Sequence, residues 1–197
     1  AEQVDAAISA LRHPVPFLVG LGAKELEAVE AIVGFEQGQM IKMLDYPEAV
    51  FVGLSDAARK GHRDLLTTGQ GDPHHLMHVL KARLIGGVLK DLEWDRDAVP
   101  LPHADTDDWY MDVGEMVLLA VQARADAIAT VRAVVTGPEP HGVKLGLKIL
   151  PGNDRDCATC KPHMEAGPRE PLELVKSGLP PYHPGCRCMV QPVPMRS

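Results

Sequence analysis

Long apolar runs and aromatic residues are scarce in this sequence, and their scarcity excludes several classes of protein. No stretch approaches the roughly 20 consecutive apolar residues that a membrane-spanning helix needs, and the N-terminus lacks the basic and apolar segments of a secretion signal. We therefore expect a cytosolic product without membrane contact, from which an initiator methionine or a longer segment before Ala1 has been removed. Aromatic residues form only 4% of the chain, too few for the stacking platforms that hold single-stranded nucleic acid.

Motifs that mark common enzyme classes are also missing. The sequence has no glycine-rich phosphate loop, no G-x-S-x-G turn and no arrangement of serine, histidine and aspartate that indicates a nucleophile. His74 and His78 stand one helical turn apart, but the motif lacks the glutamate of a zinc protease. The acidic run over residues 105–112 lacks the glycine and the final glutamate of a calcium-binding loop. We expect that the protein is not an enzyme.

Charge divides the chain into two parts. The formal net charge is −7, yet residues 1–136 contain 12 Lys and Arg against 21 Asp and Glu, whereas residues 137–197 contain 8 against 6. The acidic first part is expected to repel nucleic acid phosphates, so that contact between it and nucleic acid is disfavoured. The overall composition, 45% hydrophobic and 24% charged, is that of an ordinary folded protein.

Apolar side chains recur at helical spacing through most of the first part. Asp72 and Pro73 provide a cap and a first-turn residue for one helix, and its apolar face is expected to extend to Leu92. Gly86 and Gly87 in its middle favour a bend or a close helix crossing. The predicted helices cover residues 73–94 and 112–136 and, with weaker patterns, residues 4–11, 24–44 and 56–67.

The composition changes at Gly137 and Pro138, which end the last of these helices. Eleven of the 17 prolines fall after residue 136, which excludes a continuous helix there. Apolar and polar residues alternate from Val143 to Ile149, as in a half-buried strand. We therefore predict a mainly α protein, with a helical domain over residues 1–136 and a small α+β module, similar to a zinc knuckle, over residues 137–197.

All four cysteines lie in this module, and their spacing is typical of a metal site. Cys157 and Cys160 form a C-x2-C step, and Cys186 and Cys188 follow after 25 intervening residues. His183 stands three positions before Cys186, so its H-x2-C step has the same reach as the C-x2-C step. Two such steps can each fill two corners of the tetrahedral shell that zinc prefers. In a reducing cytosol, cysteines at such spacings bind metal more often than they form disulfides.

Five candidate ligands compete for the four positions of one structural zinc ion. One set is Cys157, Cys160, His183 and Cys186, and the other set replaces His183 with Cys188. The set with histidine is slightly favoured because a C-x-C pair strains a shared chelate more than an x2 step does. A full set of four protein ligands leaves no open position for substrate, so the metal is expected to be structural. Reduced buried thiols and disulfides are the alternatives.

The residues around these ligands resemble the C-terminal signature of the phage Mu protein F-like head morphogenesis family, the minor head proteins of tailed bacteriophages. The resemblance covers about the last 50 residues, a quarter of the chain, and includes a proline pair and an H-P-x-C-R-C ending. Residues 161–171, KPHMEAGPREP, depart from the compact turn that the family has after its second cysteine. The matching residues are Asp154, Arg155, Cys157, Cys160, Pro180, Pro181, His183, Pro184, Cys186, Arg187 and Cys188.

This resemblance implies a structural component of a tailed-phage or phage-like particle, namely a minor capsid, portal-associated or head-to-tail connecting protein that acts in head assembly. It implies assembly in the host cytoplasm, a final location in the virion, and portal or capsid proteins as partners in an oligomeric arrangement. The alternative is a zinc-ribbon-type module that contacts nucleic acid or a regulatory partner, although the module carries little positive charge. A metal-dependent hydrolase or nuclease would require His74, His78 and the acidic run to converge.

Overall fold

The computed structural model of the chain is mainly helical, as the sequence predicts. The described part contains five helices and one two-stranded antiparallel sheet, and none of these helices is long and apolar enough to cross a membrane. The described residues are 1–10, 15, 18, 29, 73–94, 109–138, 142–152 and 156–195.

The elements are numbered here in chain order within the described ranges. The predicted helices over residues 24–44 and 56–67 lie outside these ranges, apart from Val29. The elements are α1 (Glu2–Ser9), α2 (Pro73–Asp91), α3 (Trp109–Thr136), β1 (Leu145–Leu150), α4 (Lys161–Glu165), α5 (Pro171–Ser177) and β2 (Met189–Pro194).

The helix ends follow local sequence signals. α2 begins at Pro73, whose missing N–H costs nothing in a first turn. α3 begins at Trp109, three residues before the predicted start, and ends at Thr136. The N–H of Gly137 donates to the carbonyl oxygen of Ala133 at 2.9 Å, and Pro138 then prevents the helix from continuing. The stop signal read from the sequence therefore lies where the helix ends.

The chain divides into two compact units. One comprises residues 1–20 and 119–197 and is called the C-terminal unit here, while the other comprises residues 21–118 and is called the central unit. The predicted boundary between residues 136 and 137 falls within the C-terminal unit, because α1 and the later turns of α3 share the core of the module that follows them. The division into domains at residue 136 stays a prediction.

The core of the C-terminal unit combines side chains from distant parts of the sequence. Helices α1, α3 and α5, strand β1 and three cysteines all contribute buried residues to it. Burial of their apolar surface stabilises the unit at about 25 cal/mol per Å². The buried members are Val4, Ile8, Ala127, Val131, Leu147, Ile149, Cys160, Leu174, Val175, Leu179, Cys186 and Cys188.

Strand β2 is an element that the sequence analysis missed. It pairs antiparallel with β1, with Leu150 opposite Met189 at one end and Leu145 opposite Pro194 at the other. Its two prolines, Pro192 and Pro194, argued against a strand because proline cannot donate a hydrogen bond. The N–H of Met195 donates to the oxygen of Lys144 at 2.9 Å. Because backbone groups alternate along a strand, the backbone nitrogens of the even-numbered residues of β2 face away from β1. Both prolines therefore lie where no donor is needed.

Close packing of α2 against α3 characterises the central unit. A Cβ atom at Gly114 would lie 2.7 Å from the backbone nitrogen of Gly86, and one at Gly86 would lie 3.0 Å from the carbonyl carbon of Tyr110. The close crossing expected at Gly86 is thus confirmed, whereas a Cβ at Gly87 would meet nothing within 4 Å. The prediction that Leu92 continues the buried face is wrong: this side chain is 41% exposed, because α2 ends at Asp91.

Candidate metal centre

The five predicted ligands lie at the base of a long excursion between the two strands. β1 ends at Leu150 and β2 begins at Met189, and these two residues pair with each other. Residues 151–188 therefore begin and end at the same end of the sheet, and Arg169 among them forms a bridge with Leu147 of β1. Cys188 directly precedes β2, and Cys157 follows β1 by seven positions. The sheet fixes both ends of the segment that carries the candidate site.

Two turns, each closed by a hydrogen bond between its first and fourth residues, present the first four ligands. The N–H of Cys160 donates to the oxygen of Cys157 at 3.1 Å, and the N–H of Cys186 donates to the oxygen of His183 at 3.1 Å. In the second turn Pro184 is followed by Gly185 with φ of +74°, a combination that a type II turn favours. The C-x2-C and H-x2-C steps thus have matching backbone hydrogen bonds, as their equal spacing predicts.

The side chains of the two turns meet in pairs. Cys157 Sγ lies 3.2 Å from His183 Nε2, and Cys160 Sγ lies 3.6 Å from Cys186 Sγ. In a tetrahedral zinc site with Zn–S near 2.3 Å and Zn–N near 2.0 Å, two sulfurs are about 3.8 Å apart and a sulfur and a nitrogen about 3.5 Å. These two separations are within a few tenths of an ångström of these values, whereas Cys186 groups with Cys160 and Cys188 and not with Cys157 and His183. All four cysteines are free, so no disulfide accounts for their proximity.

All five candidate ligands belong to one cluster. Cys157, Cys160 and His183 form one group and Cys160, Cys186 and Cys188 a second, with the ligand atoms within 4.8 Å of one another in each. Cys160 belongs to both groups and is 2% exposed. Among the described residues, these are the groups of three or more such ligands that can hold a metal ion. Which four of the five bind stays a prediction.

The ring of His183 is oriented with one nitrogen toward the thiols. Its Nδ1 lies 2.7 Å from the carbonyl oxygen of Pro184, and because a carbonyl only accepts, Nδ1 carries the proton and donates it. The neutral ring then has its lone pair on Nε2, the atom that contacts Cys157. Metal-binding histidines are commonly held in this way by a hydrogen bond from the other ring nitrogen.

Cys188 has a different environment from the other ligands. Its thiol is buried and accepts a hydrogen bond from the backbone N–H of Gly152. A Cβ at Gly152 would lie 2.7 Å from the carbonyl carbon of Arg187, so this approach requires glycine. Burial raises the pKa of Cys188, while its hydrogen bonds with Cys160 and Gly152 lower it. Cys188 can therefore act as a ligand or as a thiol that supports the ligands.

Burial makes the cluster unfavourable for thiolates in the absence of a cation. It raises the pKa of Cys160 far above the ordinary thiol value, and the neighbouring thiols raise it further. A coordinated divalent cation reverses this balance, since it stabilises the thiolate form directly. Metal binding at this cluster would therefore release protons and depend on pH.

His163, a histidine close to Cys160 in the sequence, packs against an aromatic ring. Its ring stacks on Tyr182, with centroids 3.7 Å apart and ring planes 8° from parallel. The Tyr182 hydroxyl donates to the oxygen of Gly178 at 3.3 Å. Burial lowers the pKa of His163, and the charge of Arg169 lowers it further. The stack joins the two ends of the segment that leads from Cys160 to His183.

The described histidine of the central unit has a partner within its own unit. His78 Nε2 lies 3.4 Å from Glu115 Oε1 in a contact between α2 and α3. The side chains of His74 and His75 and the acidic residues 105–108 lie outside the described residues. Their convergence into a hydrolase site stays untested.

A buried residue of the C-terminal unit was missed by the sequence analysis. Arg124 on α3 is 3% exposed. The sequence did contain a signal for it, because Arg124 lies at helical spacing between Val121 and Ile128, two apolar positions of the predicted stripe. A charged residue at such a position indicates either that the apolar face of the helix is predicted wrongly or that a charge with a partner is buried there.

Comparison with known proteins neither supports nor contradicts the resemblance stated above. Searches with protein-family models, among curated proteins and among solved structures find no match to this chain.

Proposed function

We propose that the cysteine and histidine cluster holds one structural zinc ion, and that the protein is a minor structural component of a tailed-phage or phage-like particle that acts in head assembly. The pairing of the two matching turns carries the first part of this proposal, because it brings two sulfurs to 3.6 Å and a sulfur and a nitrogen to 3.2 Å. The signature residues of the same segment support the second part.

The donor set favours zinc. Thiolate and imidazole groups suit zinc, whereas magnesium and calcium prefer oxygen ligands. The cysteines Cys160, Cys186 and Cys188 belong to the hydrophobic core, whereas Cys157 and His183 are half-buried. The ion would join two segments of the excursion between the strands, a structural role rather than a catalytic one.

The ligands that we assign are Cys157, Cys160, His183 and Cys186. The orientation of His183 by Pro184 supports this choice, since it directs a lone pair at the cluster. Cys188 then remains a supporting thiol, which accepts the N–H of Gly152 and hydrogen-bonds with Cys160. This choice leaves both matching turns with two ligands each.

The particle role fits the way in which the candidate centre is built into the fold. The core beneath it includes Val4 and Ile8 of α1 and Ala127 and Val131 of α3. A metal ion at the cluster would therefore stabilise the helices together with the proline-rich segment. A part that must hold its shape during head assembly and DNA packaging benefits from such a cross-link, and an acidic chain avoids binding to the packaged DNA.

Metal analysis of the purified protein tests the zinc site. We expect elemental mass spectrometry to measure about one zinc ion per protein chain. His183→Ala should abolish stoichiometric zinc, whereas Cys188→Ser should keep the ion with an affinity lowered by about 10–100-fold, as for a supporting residue. Competition with a chromophoric chelator measures both affinities. Absence of zinc from the wild type would refute the site, and loss of zinc from Cys188→Ser alone would show that the other ligand set is correct.

Association with particles tests the assembly role. The wild-type protein should co-sediment with heads or with the isolated portal ring, and Cys160→Ser should lower its incorporation. His78→Ala is the matched control, because it removes a histidine of the central unit that pairs with Glu115 and should leave incorporation unchanged. Failure of the wild type to associate with either structure, together with binding to duplex DNA, would replace the assembly role with that of a nucleic-acid-binding module.

A further inference from the structure

Strand β2 is the outer strand of the sheet in the C-terminal unit. One of its edges pairs with β1, and within the described ranges no further strand pairs with the other edge. Its six residues are half-buried or exposed, and Met189 at its start is 59% exposed. An open, exposed strand edge can add a strand from another molecule, so it favours self-association unless its sequence prevents this.

The hydrogen-bonding register decides which backbone groups this open edge presents. The N–H of Met195, the residue after β2, donates to the oxygen of Lys144 at 2.9 Å. Hydrogen-bonded pairs recur at every second residue of an antiparallel ladder, so the odd-numbered residues of β2 direct their backbone groups at β1. The residues whose backbone groups face outward are therefore Val190, Pro192 and Pro194.

Two of these three outward positions cannot donate a hydrogen bond. Pro192 and Pro194 have no N–H, so the edge offers three carbonyl acceptors and one donor, the N–H of Val190. If the β2 strands of two copies paired antiparallel about Pro192, a full ladder would need six hydrogen bonds, one donated by each outward residue of each copy. The two Val190 donors supply only two of the six. The other carbonyls would lose water without gaining a partner, which is unfavourable.

The opposite edge of the sheet is covered by the chain itself. Arg169 of the excursion and Leu147 of β1 exchange two backbone hydrogen bonds of 2.9 Å each. The next hydrogen-bonded pair on this side would join Leu145 to Pro171, but Pro171 has no N–H and begins α5. The contact therefore remains a single bridge at the middle of β1, and β2 is the edge that stays open to another molecule.

We propose that Pro192 and Pro194 close the edge of β2 to strand addition, so that the sheet stays two-stranded and this edge takes no part in self-association. A strand-forming residue at either position would pair with β1 equally well, because neither backbone nitrogen faces β1. The prolines thus restrict pairing between molecules and leave the ladder within the molecule intact. Partners of the protein would bind at other surfaces, or through side chains of β2 rather than through its backbone.

Replacement of both prolines by valine in the full chain tests the inference, because Pro192→Val with Pro194→Val restores both outward donors and favours a strand. We expect the association constant from sedimentation equilibrium to rise about a hundredfold or more above that of the wild type, since four further hydrogen bonds become possible between two copies. Hydrogen exchange should show that the amides of residues 190–194 gain protection as the concentration of the double variant increases. In the wild type, the exchange of the Val190 amide should not depend on concentration.

Gln191→Val is the matched control, because it also adds a branched apolar side chain to β2 but its N–H faces β1. It should leave the association constant unchanged, and a rise equal to that of the double variant would overturn the inference by assigning the effect to apolar surface. An unchanged association constant for a folded double variant would overturn it as well. If circular dichroism shows that the double variant does not fold, the milder Pro194→Ala decides: we expect a smaller rise, and no rise would contradict the proposal.

Discussion

The two compact units achieve their packing by different means. In the central unit, α2 and α3 approach so closely at Gly86 and Gly114 that a methyl group at either position would collide with backbone atoms of the other helix. The C-terminal unit instead buries Cys160, Cys186 and Cys188 among aliphatic side chains. The central unit therefore relies on close steric fit, and the C-terminal unit buries a group of thiols that could hold a metal ion.

Local structure shows what a metal cross-link would add to the C-terminal unit. Helices α4 and α5 span five and seven residues, and isolated helices of such length are unstable in water. Each has a proline in its first two positions, which helps the helix to start but adds no contacts between segments. Closing a long excursion at its base lowers the entropy of the unfolded chain. A metal ion at the base would supply that closure.

Removal of the metal should have the largest effect and should affect the two units unequally. We expect Cys160→Ser, or the wild type after chelation, to lose several kcal/mol of stability in the C-terminal unit, because binding of structural zinc is coupled to folding. Hydrogen exchange followed by mass spectrometry should show loss of protection in β1 and β2 and retained protection in α2.

His78→Ala is the control for this experiment, since it changes the central unit and no candidate ligand. Equal loss of protection in α2 and in the two strands would contradict the comparison, because it would show that one cooperative transition covers both units.

Steric substitutions should have a smaller effect and should act on the central unit. Gly114→Ala places a Cβ 2.7 Å from the backbone nitrogen of Gly86, and we expect it to lower the free energy of unfolding by about 1–3 kcal/mol. Gly87→Ala is the matched control, because its Cβ meets nothing within 4 Å. That control should raise stability by roughly 0.5–1 kcal/mol. Urea unfolding measures both changes, and a stabilising Gly114→Ala would disprove the close crossing.

The smallest effect concerns pH and the His163 ring. Burial holds the pKa of His163 in the folded protein below its ordinary value of 6.5, so the unfolded chain takes up the proton first as the pH falls. Stability should therefore decrease below pH 6.5, as far as the folded pKa, and should be unaffected by this group at higher pH. His163→Gln should remove this part of the slope. Urea unfolding of the zinc-loaded wild type and variant at several pH values gives the slope of the free energy of unfolding against pH for each protein. Equal slopes would contradict the lowered pKa of His163.

Much of the candidate site could be predicted from the sequence, because it depends on spacings of a few residues. The x2 spacing of Cys157 and Cys160, and of His183 and Cys186, determines how each pair of side chains can converge, whatever the rest of the fold does. The glycine at position 185 and the end of α3 at Gly137 are also local signals. By contrast, β2 was missed because its prolines are acceptable only at an edge position, which depends on the register with β1.

The sequence by itself determined the helical character of the described N-terminal elements, the end of the long helix and the identity of the five candidate ligands, since each depends on spacing over a few residues. The tertiary structure alone decided which turns meet, how His183 is oriented, and that Arg124 is buried in the unit that contains the thiols. These features join residues far apart in the chain. Their energies come from desolvation and contact in a shared core, which no local pattern records.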